Sequence, residues 1–337
     1  MSIAPVSVQK PDPAVIFEAL NAYQRSAALK AAIELDIFTR ISRGSQTASE
    51  LAQTIGATER GVRILCDYLV LQNLLSKESD RYALTINSAT FLDRNSPACF
   101  GGAIGFMLDP RLTAGYADLT QIVRAGLPNG GTISHDNPIW VEFAKSMAPM
   151  VFPSAMDLAE MVAGDAPIKV LDIAAGHGLF GIAIAQRNPQ AQITALDWPG
   201  VLAVARQNAQ KFGVAERHST IEGDAFEVDF GGPYDMVLVT NFFHHFNHET
   251  CERLMRRIHA ALNPGGRCVT VEFVPNDDRI SPPTAAAFSM MMLGSTPEGD
   301  AYPFAEYDSM FRNAGFGSST KRDLPRGPQS VIVTERP

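Results

Sequence analysis

Cations are the minority charge in this chain, and that scarcity excludes one large class of function. Its 337 residues include 28 Lys and Arg against 36 Asp and Glu, a formal net charge of −8 at pH 7. Gripping a phosphate backbone takes clustered Lys and Arg, so a dedicated nucleic-acid binder is not expected. Cysteine is scarce too. Cys66, Cys99, Cys251 and Cys268 contain no Cys-x-x-Cys spacing, and a chain of this size needs no disulfide framework. Reduced thiols and a cytoplasmic protein are the expectation. No apolar run is long enough to cross a bilayer, so no membrane partner is expected. The stretch from Met1 to Pro13 has three prolines but no basic segment leading into an apolar one, so no signal peptide is expected either. Repeats and low-complexity tracts are absent. What remains is a globular composition, 46% hydrophobic and 19% charged, in a chain long enough for two domains.

The first half reads as helical. Val15, Phe17, Leu20, Tyr23, Ala27, Leu29 and Ile33 recur at helical spacing. Thr47-Ala-Ser-Glu50 is a capping-box arrangement, predicting a helix that starts after Thr47. A second helix follows through Val62, Leu65 and Leu69. Leu74 to Ser76 and Tyr82 to Leu84 then flank a polar Lys77–Arg81 turn as a small hairpin. Helix, turn, helix, hairpin outlines a winged helix. Its second helix offers only Arg60 and Arg63, offset by Glu59 and Asp67, so a scaffold or dimerisation role is favoured over DNA binding. From Cys99 to Met161 helical sequence is expected to be broken by Pro110, Pro128, Gly130-Gly131, Pro138, Pro149 and Pro153. The Met and aromatic residues here, Phe106, Trp140, Phe143, Met147 and Met150, suit the wall of an adaptable apolar pocket, although such a stripe is more often plain core.

After Gly164 the pattern changes to short β-branched runs alternating with helices. Strands are predicted at Lys169–Ile173, Gln192–Leu196, Ser219–Glu222, Tyr234–Thr240 and Arg267–Phe273, with helices at Leu179–Gln186, Val201–Phe212 and Glu249–Leu262. Such alternation means a mostly parallel sheet covered by helices, an α/β Rossmann-like domain, with ligands at the carboxyl ends of the strands. The expected division is 1–100 for a mostly α, winged-helix-like domain, 101–163 for a helical linker contributing to the acceptor pocket, and 164–337 for the α/β domain.

The turn Ala174-Ala-Gly176-His-Gly178-Leu-Phe-Gly181 follows the first strand and opens a helix, the place where backbone approaches a nucleotide. Its letters also satisfy Gly-x-Gly-x-x-Gly, and Asp197 ends the next strand where an acid would hold ribose hydroxyls, so an NAD-dependent oxidoreductase is one reading. Two features favour a different cofactor. Asp172, at the strand end before the glycines, would repel a pyrophosphate but suit the cationic methionine end of S-adenosylmethionine. In Gly223-Asp224-Ala225-Phe226, Asp224 could accept from an adenine amine while Ala225 and Phe226 pack on the ring. Acids at three successive strand ends are the pattern; a single one would be an ordinary cap. Trp198 is expected near adenosine, and His177 beside the cofactor.

At this point the chain resembles the dimeric small-molecule O-methyltransferases related to plant caffeate and flavonoid enzymes and to bacterial polyketide-tailoring enzymes. The resemblance runs over nearly the whole chain: Ser26–Phe38, TASELA at Thr47–Ala52, the Tyr82–Thr85 wing, VLDIAAGHG from Val170, LDWPGVL from Leu196, GDAF, the His244 segment, NPGGR from Asn263 and NAGF from Asn313. It implies a class I methyltransferase domain with a seven-stranded sheet, S-adenosylmethionine as methyl donor and S-adenosylhomocysteine as product, no metal, and a homodimer joined through the N-terminal domain. It places the general base at His244 in His244-His-Phe-Asn-His-Glu-Thr-Cys251, and at Glu272 the acid that orients it. A histidine there can take a hydroxyl proton as oxygen attacks the methyl carbon.

The chain departs from the family pattern at several places. His245 replaces an Asp, Phe246 a Trp, and Thr240 a Lys on the adenine side. Ala301 stands where a second acid is expected, for which Glu298 or Asp300 would have to serve. His245, Met292 and Thr296 complete the candidate acceptor pocket. Transfer to carbon or nitrogen on the same fold, and a ligand-responsive winged-helix regulator, are alternative readings. His244 and His248 at i and i+4 also admit a metal reading, which ranks below the base reading for want of supporting ligands. The acceptor itself is not written in the sequence.

Overall fold

The computed structural model describes residues 11–127 and 139–337. Pro128, Gly130, Gly131 and Pro138 lie outside them. The chain forms two compact units, Met1–Leu108 and Asp109–Pro337.

In the first unit the helices are α1 (Ala14–Glu34), α2 (Ile37–Ser42), α3 (Ala48–Ile55) and α4 (Glu59–Leu71). A hairpin of β1 (Leu75–Glu78) and β2 (Arg81–Leu84) follows, then α5 (Ile86–Phe91) and α6 (Gly101–Met107). The left-handed Asp36, at φ 59°, separates α1 from α2. The capping box at α3 is complete: Thr47 Oγ1 accepts from Glu50 N–H, and Glu50 Oε2 accepts from Thr47 N–H at 2.9 Å. Ile37, Phe38, Leu51, Val62, Leu69, Leu75 and Tyr82 form the core. Asp67 binds Arg63 at 3.1 Å and Lys77 at 2.5 Å, so one cation of the second helix and one of the wing share a carboxylate within the unit. Along α1, by contrast, Val15, Ile16, Phe17, Leu20 and Tyr23 are all more than half exposed.

The second unit begins with α7 (Pro110–Thr113), α8 (Leu119–Ala125) and α9 (Ile139–Val162). Pro149 and Pro153, expected to break the helix, lie inside α9. The prolines cost α9 two N–H donors, and burial of Ala155, Leu158, Ala159 and Val162 holds it together. Then come β3 (Ile168–Ile173), α10 (Leu179–Arg187), β4 (Ala191–Asp197), α11 (Pro199–Lys211), β5 (His218–Glu222), β6 (Tyr234–Thr240), α12 (His248–Ala261) and β7 (Leu262–Glu272). The unit closes with α13 (Pro283–Ser295), α14 (Phe304–Asn313), β8 (Ser319–Asp323) and β9 (Ser330–Glu335).

These strands form one seven-stranded sheet in the order β5-β4-β3-β6-β7-β9-β8. Strands β3 to β7 are parallel, and β9 runs against both its neighbours. Side chains alternate across it as the pleat requires: Val237 and Val239 join the apolar layer with α12 and α14, Met236 and Leu238 the layer with α9 and α10. The chain steps outward from β3 to β5 and returns beside β3 as β6. That reversal opens a crevice at the carboxyl ends of β3 and β6, where ligands bind in sheets of this kind. Among the described residues no helix is long and apolar enough to cross a membrane.

Candidate active site

The glycine turn leaves β3 through three residues in left-handed backbone, Ala174, Gly176 and Gly178 at φ 52°, 58° and 73°. At Gly178 a Cβ would stand 2.9 Å from Ala205 Cβ, so this glycine lets the turn close on α11. At Gly176 a Cβ would meet nothing nearer than Phe143 Cε1 at 3.9 Å. That backbone is open toward the crevice.

Asp172 lies beneath this turn, 1% exposed. Its Oδ2 accepts from Gly181 N–H at 3.2 Å, while Oδ1 is buried without a hydrogen-bond partner. Burial pushes this carboxyl up to about 7; the Gly181 bond opposes that rise and the Asp197 charge adds to it. A buried carboxylate oxygen with no donor is costly unless a ligand supplies one. Asp197 ends β4 with Oδ2 accepting from Gly176 N–H at 2.8 Å and Oδ1 from Trp198 N–H at 2.7 Å. Burial raises it to about 6 despite those two bonds. Trp198, like Trp140 and Val141, packs against the cluster of Ala144, Val201 and Val204. Asp224 accepts from Phe226 N–H at 2.8 Å, Ala225 is buried, and Phe226 meets Phe246 edge-on at 5.0 Å, as Phe242 also does.

His244 is carried on a single tight turn, Phe243–His245, between β6 and α12. Thr240, the last residue of β6, is buried. The His244 ring is 4% exposed and Glu272, at the end of β7, is fully buried. Nδ1 of His244 lies 2.5 Å from Glu272 Oε2. The other carboxylate oxygen accepts from Phe242 N–H at 3.0 Å and Phe243 N–H at 2.9 Å. A carboxylate is an acceptor only, so the geometry favours a proton on Nδ1 of His244, and a neutral imidazole in that tautomer has its lone pair on Nε2. Phe288 of α13 meets the His244 ring edge-on at 4.8 Å.

His245 is half-buried, 4.4 Å from His244 and 5.9 Å from Trp140 between ring centres. Burial, then the neighbouring His244, holds it well below the usual histidine range, so it is neutral. His177 is also neutral, pushed down to about 4 by burial, and its Nδ1 accepts from Leu179 N–H at 3.2 Å.

Of the remaining candidates, Met147 is half-buried and Met150 is exposed. Met292 and Thr296 are buried. Thr296 Oγ1 donates to Met292 O and accepts from Gly299 N–H. Phe106 belongs to α6 of the first unit. Of the two candidates for a second acid, Glu298 binds Asn247 at 2.6 Å and Asp300 binds Arg279 at 2.9 Å. His248 binds Glu306 at 2.8 Å, so it and His244 are held by different carboxylates. Among the described residues no group of His, Cys, Asp and Glu side chains is arranged to hold a metal. Sequence reasoning missed Phe242, Phe288 and Gly299 beside His244. An isolated Phe or Gly in helix-and-loop sequence carries no local signal of such a role.

A seven-stranded sheet with β9 reversed, a glycine turn after its first strand and acids at three strand ends define a methyltransferase domain of the class I type. The O-methyltransferase domain pattern matches residues 126–317, and the O-methyltransferase dimerisation domain pattern matches residues 17–94; the chain belongs to this O-methyltransferase family. A Nostoc punctiforme crystal structure assigned to the O-methyltransferases is 52% identical, with a TM-score of 0.93 over 97% of this chain and all of that one. The 3-hydroxy-5-methyl-1-naphthoate 3-O-methyltransferase of Streptomyces sahachiroi is 28% identical over 95% of this chain and 94% of its own length. Human N-acetylserotonin methyltransferase, solved in complex with SAM, shares the fold at 21% identity, with a TM-score of 0.82 over 98% of this chain and 99% of that one.

Proposed function

We propose that this enzyme transfers a methyl group from S-adenosylmethionine to a hydroxyl of a small aromatic molecule, with His244 as general base, leaving S-adenosylhomocysteine. The observation that carries the base assignment is the buried His244–Glu272 pair at 2.5 Å. Held through Nδ1, the imidazole offers Nε2 to an acceptor hydroxyl, and Glu272 stabilises the imidazolium that forms as the proton arrives. S-Adenosylmethionine, when bound, supplies a methyl carbon on a cationic sulfur.

The crevice suits that cofactor. The partnerless Oδ1 of Asp172 would take the cationic methionine end, with the open backbone at Gly176 and the turn at Gly178 beside it. Asp197 would hold the ribose, and Trp198, Asp224, Ala225, Phe226 and Thr240 the adenosine. An NAD pyrophosphate would meet the Asp172 carboxylate instead. Trp140 and Phe143, in the helical stretch of residues 101–163, and His245 would line the acceptor site. The exposed apolar side chains along α1 support a homodimer through the first unit. Four free cysteines support a reducing, cytoplasmic setting.

Thermal shift with S-adenosylmethionine, S-adenosylhomocysteine and NAD side by side tests the cofactor. A ligand at about a hundredfold its Kd adds about 2.7 kcal/mol to the native state. Stabilisation by NAD alone would overturn the reading. Turnover by His244→Ala on hydroxynaphthoate and phenol acceptors, with the methylated atom located by NMR of the product, tests the base and separates oxygen from carbon or nitrogen transfer.

A further inference from the structure

Immediately after β6 the chain takes one left-handed step, at Asn241, φ 53°. A residue with a Cβ visits this region at a cost, and asparagine is among the few that tolerate it. The step is held from two sides. Asn241 N–H donates to Val271 O on β7 at 2.8 Å, and Asn241 Oδ1 accepts from Gln329 Nε2 at 2.5 Å.

Gln329 immediately precedes β9, in the turn that joins it to β8. Its carbonyl accepts from Leu324 N–H at 3.0 Å, which closes that turn. The turn is bound in its own right to α9: N, Nε and Nη2 of Arg326 reach the Asp157 carboxylate at 3.0, 2.8 and 2.6 Å. Gln329 is thus presented to Asn241 from a fixed base.

The left-handed step has a chemical consequence. Successive N–H groups beyond such a residue point the same way and form a concavity for an anion. Here the N–H groups of Phe242 and Phe243 converge on Glu272 Oε1, which leaves Oε2 for His244.

We infer that Asn241 and Gln329 are positioning residues for His244: Gln329 locks the left-handed turn whose N–H groups orient Glu272, and Glu272 orients the imidazole. This rests on the reading of His244 as the base. Among the described residues, Glu272 of β7 and His245 of the same turn are the titratable side chains set against His244, while α13 presents Phe288 and the following loop the Gly299 backbone.

The test uses the full chain with Gln329→Ala, Asn241→Gly and His244→Ala. Nitrogen-15 NMR of the histidine rings, with His244 assigned from its absence in His244→Ala, reads the tautomer and the downfield Nδ1 proton directly. In the unaltered protein His244 is expected as the single Nδ1–H tautomer. In Gln329→Ala and in Asn241→Gly, which keeps the backbone angle but loses the Gln329 bond, a tautomer mixture and an upfield proton are expected. The same two variants should lose about tenfold in kcat at unchanged KM. An unchanged ring spectrum in a folded Gln329→Ala overturns the inference; should Asn241→Gly fail to fold, Gln329→Ala decides alone. A His244→Ala enzyme that retains turnover overturns the base reading instead, and the ring spectra still report on the positioning.

Discussion

Asp172 and Gly181 are joined across the glycine turn by a 3.2 Å hydrogen bond that uses one carboxylate oxygen and leaves the other buried and bare. A Cβ at Gly181 would lie 3.0 Å from that bonded oxygen and 2.8 Å from Ile193 Cγ2, so only glycine lets the helix start this close to the acid.

Asp172→Asn keeps the Gly181 contact and removes the charge. Cofactor affinity should fall about 10- to 100-fold, the range of one charge-assisted hydrogen bond, read by calorimetry. The unliganded variant should also differ in its pH dependence. The folded carboxyl titrates at about 7, above the unfolded value of about 3.9. The native state therefore holds the extra proton, and that contribution to stability is full below about pH 4 and is lost as pH rises through 7. Melts across this range should show Asp172→Asn gaining on the unaltered protein as pH rises. A constant difference would contradict the burial argument.

Glu272→Gln retains an oxygen for the Phe242 and Phe243 N–H groups but turns an amide donor toward His244 Nδ1. The imidazole is then driven to carry its proton on Nε2, the wrong atom for a base. A drop in kcat of about a thousandfold or more is expected with cofactor binding preserved, measured by single-turnover kinetics. A loss confined to KM would argue against the pairing.

Gly299→Ala would set a Cβ 2.3 Å from His244 O and 2.5 Å from Thr296 Oγ1. The loop must move, at a cost of about 1–3 kcal/mol, and it moves against the backbone that carries the imidazole. A lower melting temperature with a larger loss in kcat than in cofactor affinity is expected.

Thr47→Ala removes half of the capping box of α3 and should cost about 1 kcal/mol, seen as earlier melting of the first unit with catalytic constants per folded enzyme unchanged. Glu50 is held below its ordinary value by the N–H groups of Thr47 and then Gln46. A depressed carboxyl stabilises above its unfolded pKa, so its contribution is present at neutral pH and is lost as pH falls through its folded-state titration.

Much of this molecule was legible in one dimension because it rests on short-range physics. The alternation of β-branched runs with helices specified the parallel sheet, Thr47 and Glu50 three apart specified a helix start, and glycines after a strand specified a tight left-handed turn there. Pro149 and Pro153 misled, since proline weakens a helix locally whereas burial of Ala155, Leu158 and Ala159 holds α9 together through contacts distant in sequence. For the candidate site, the sequence named residues but not their state. That Asp172 has one oxygen without a partner, that His245 and His177 are neutral, and that Glu298 and Asp300 are engaged by Asn247 and Arg279 all depend on which groups the fold brings together. The contact between Asn241 and Gln329 spans 88 residues, and no local pattern announces it. Local periodicity determined the elements; desolvation and long-range hydrogen bonding, which exist only once the chain has closed, decided what the site's side chains can do.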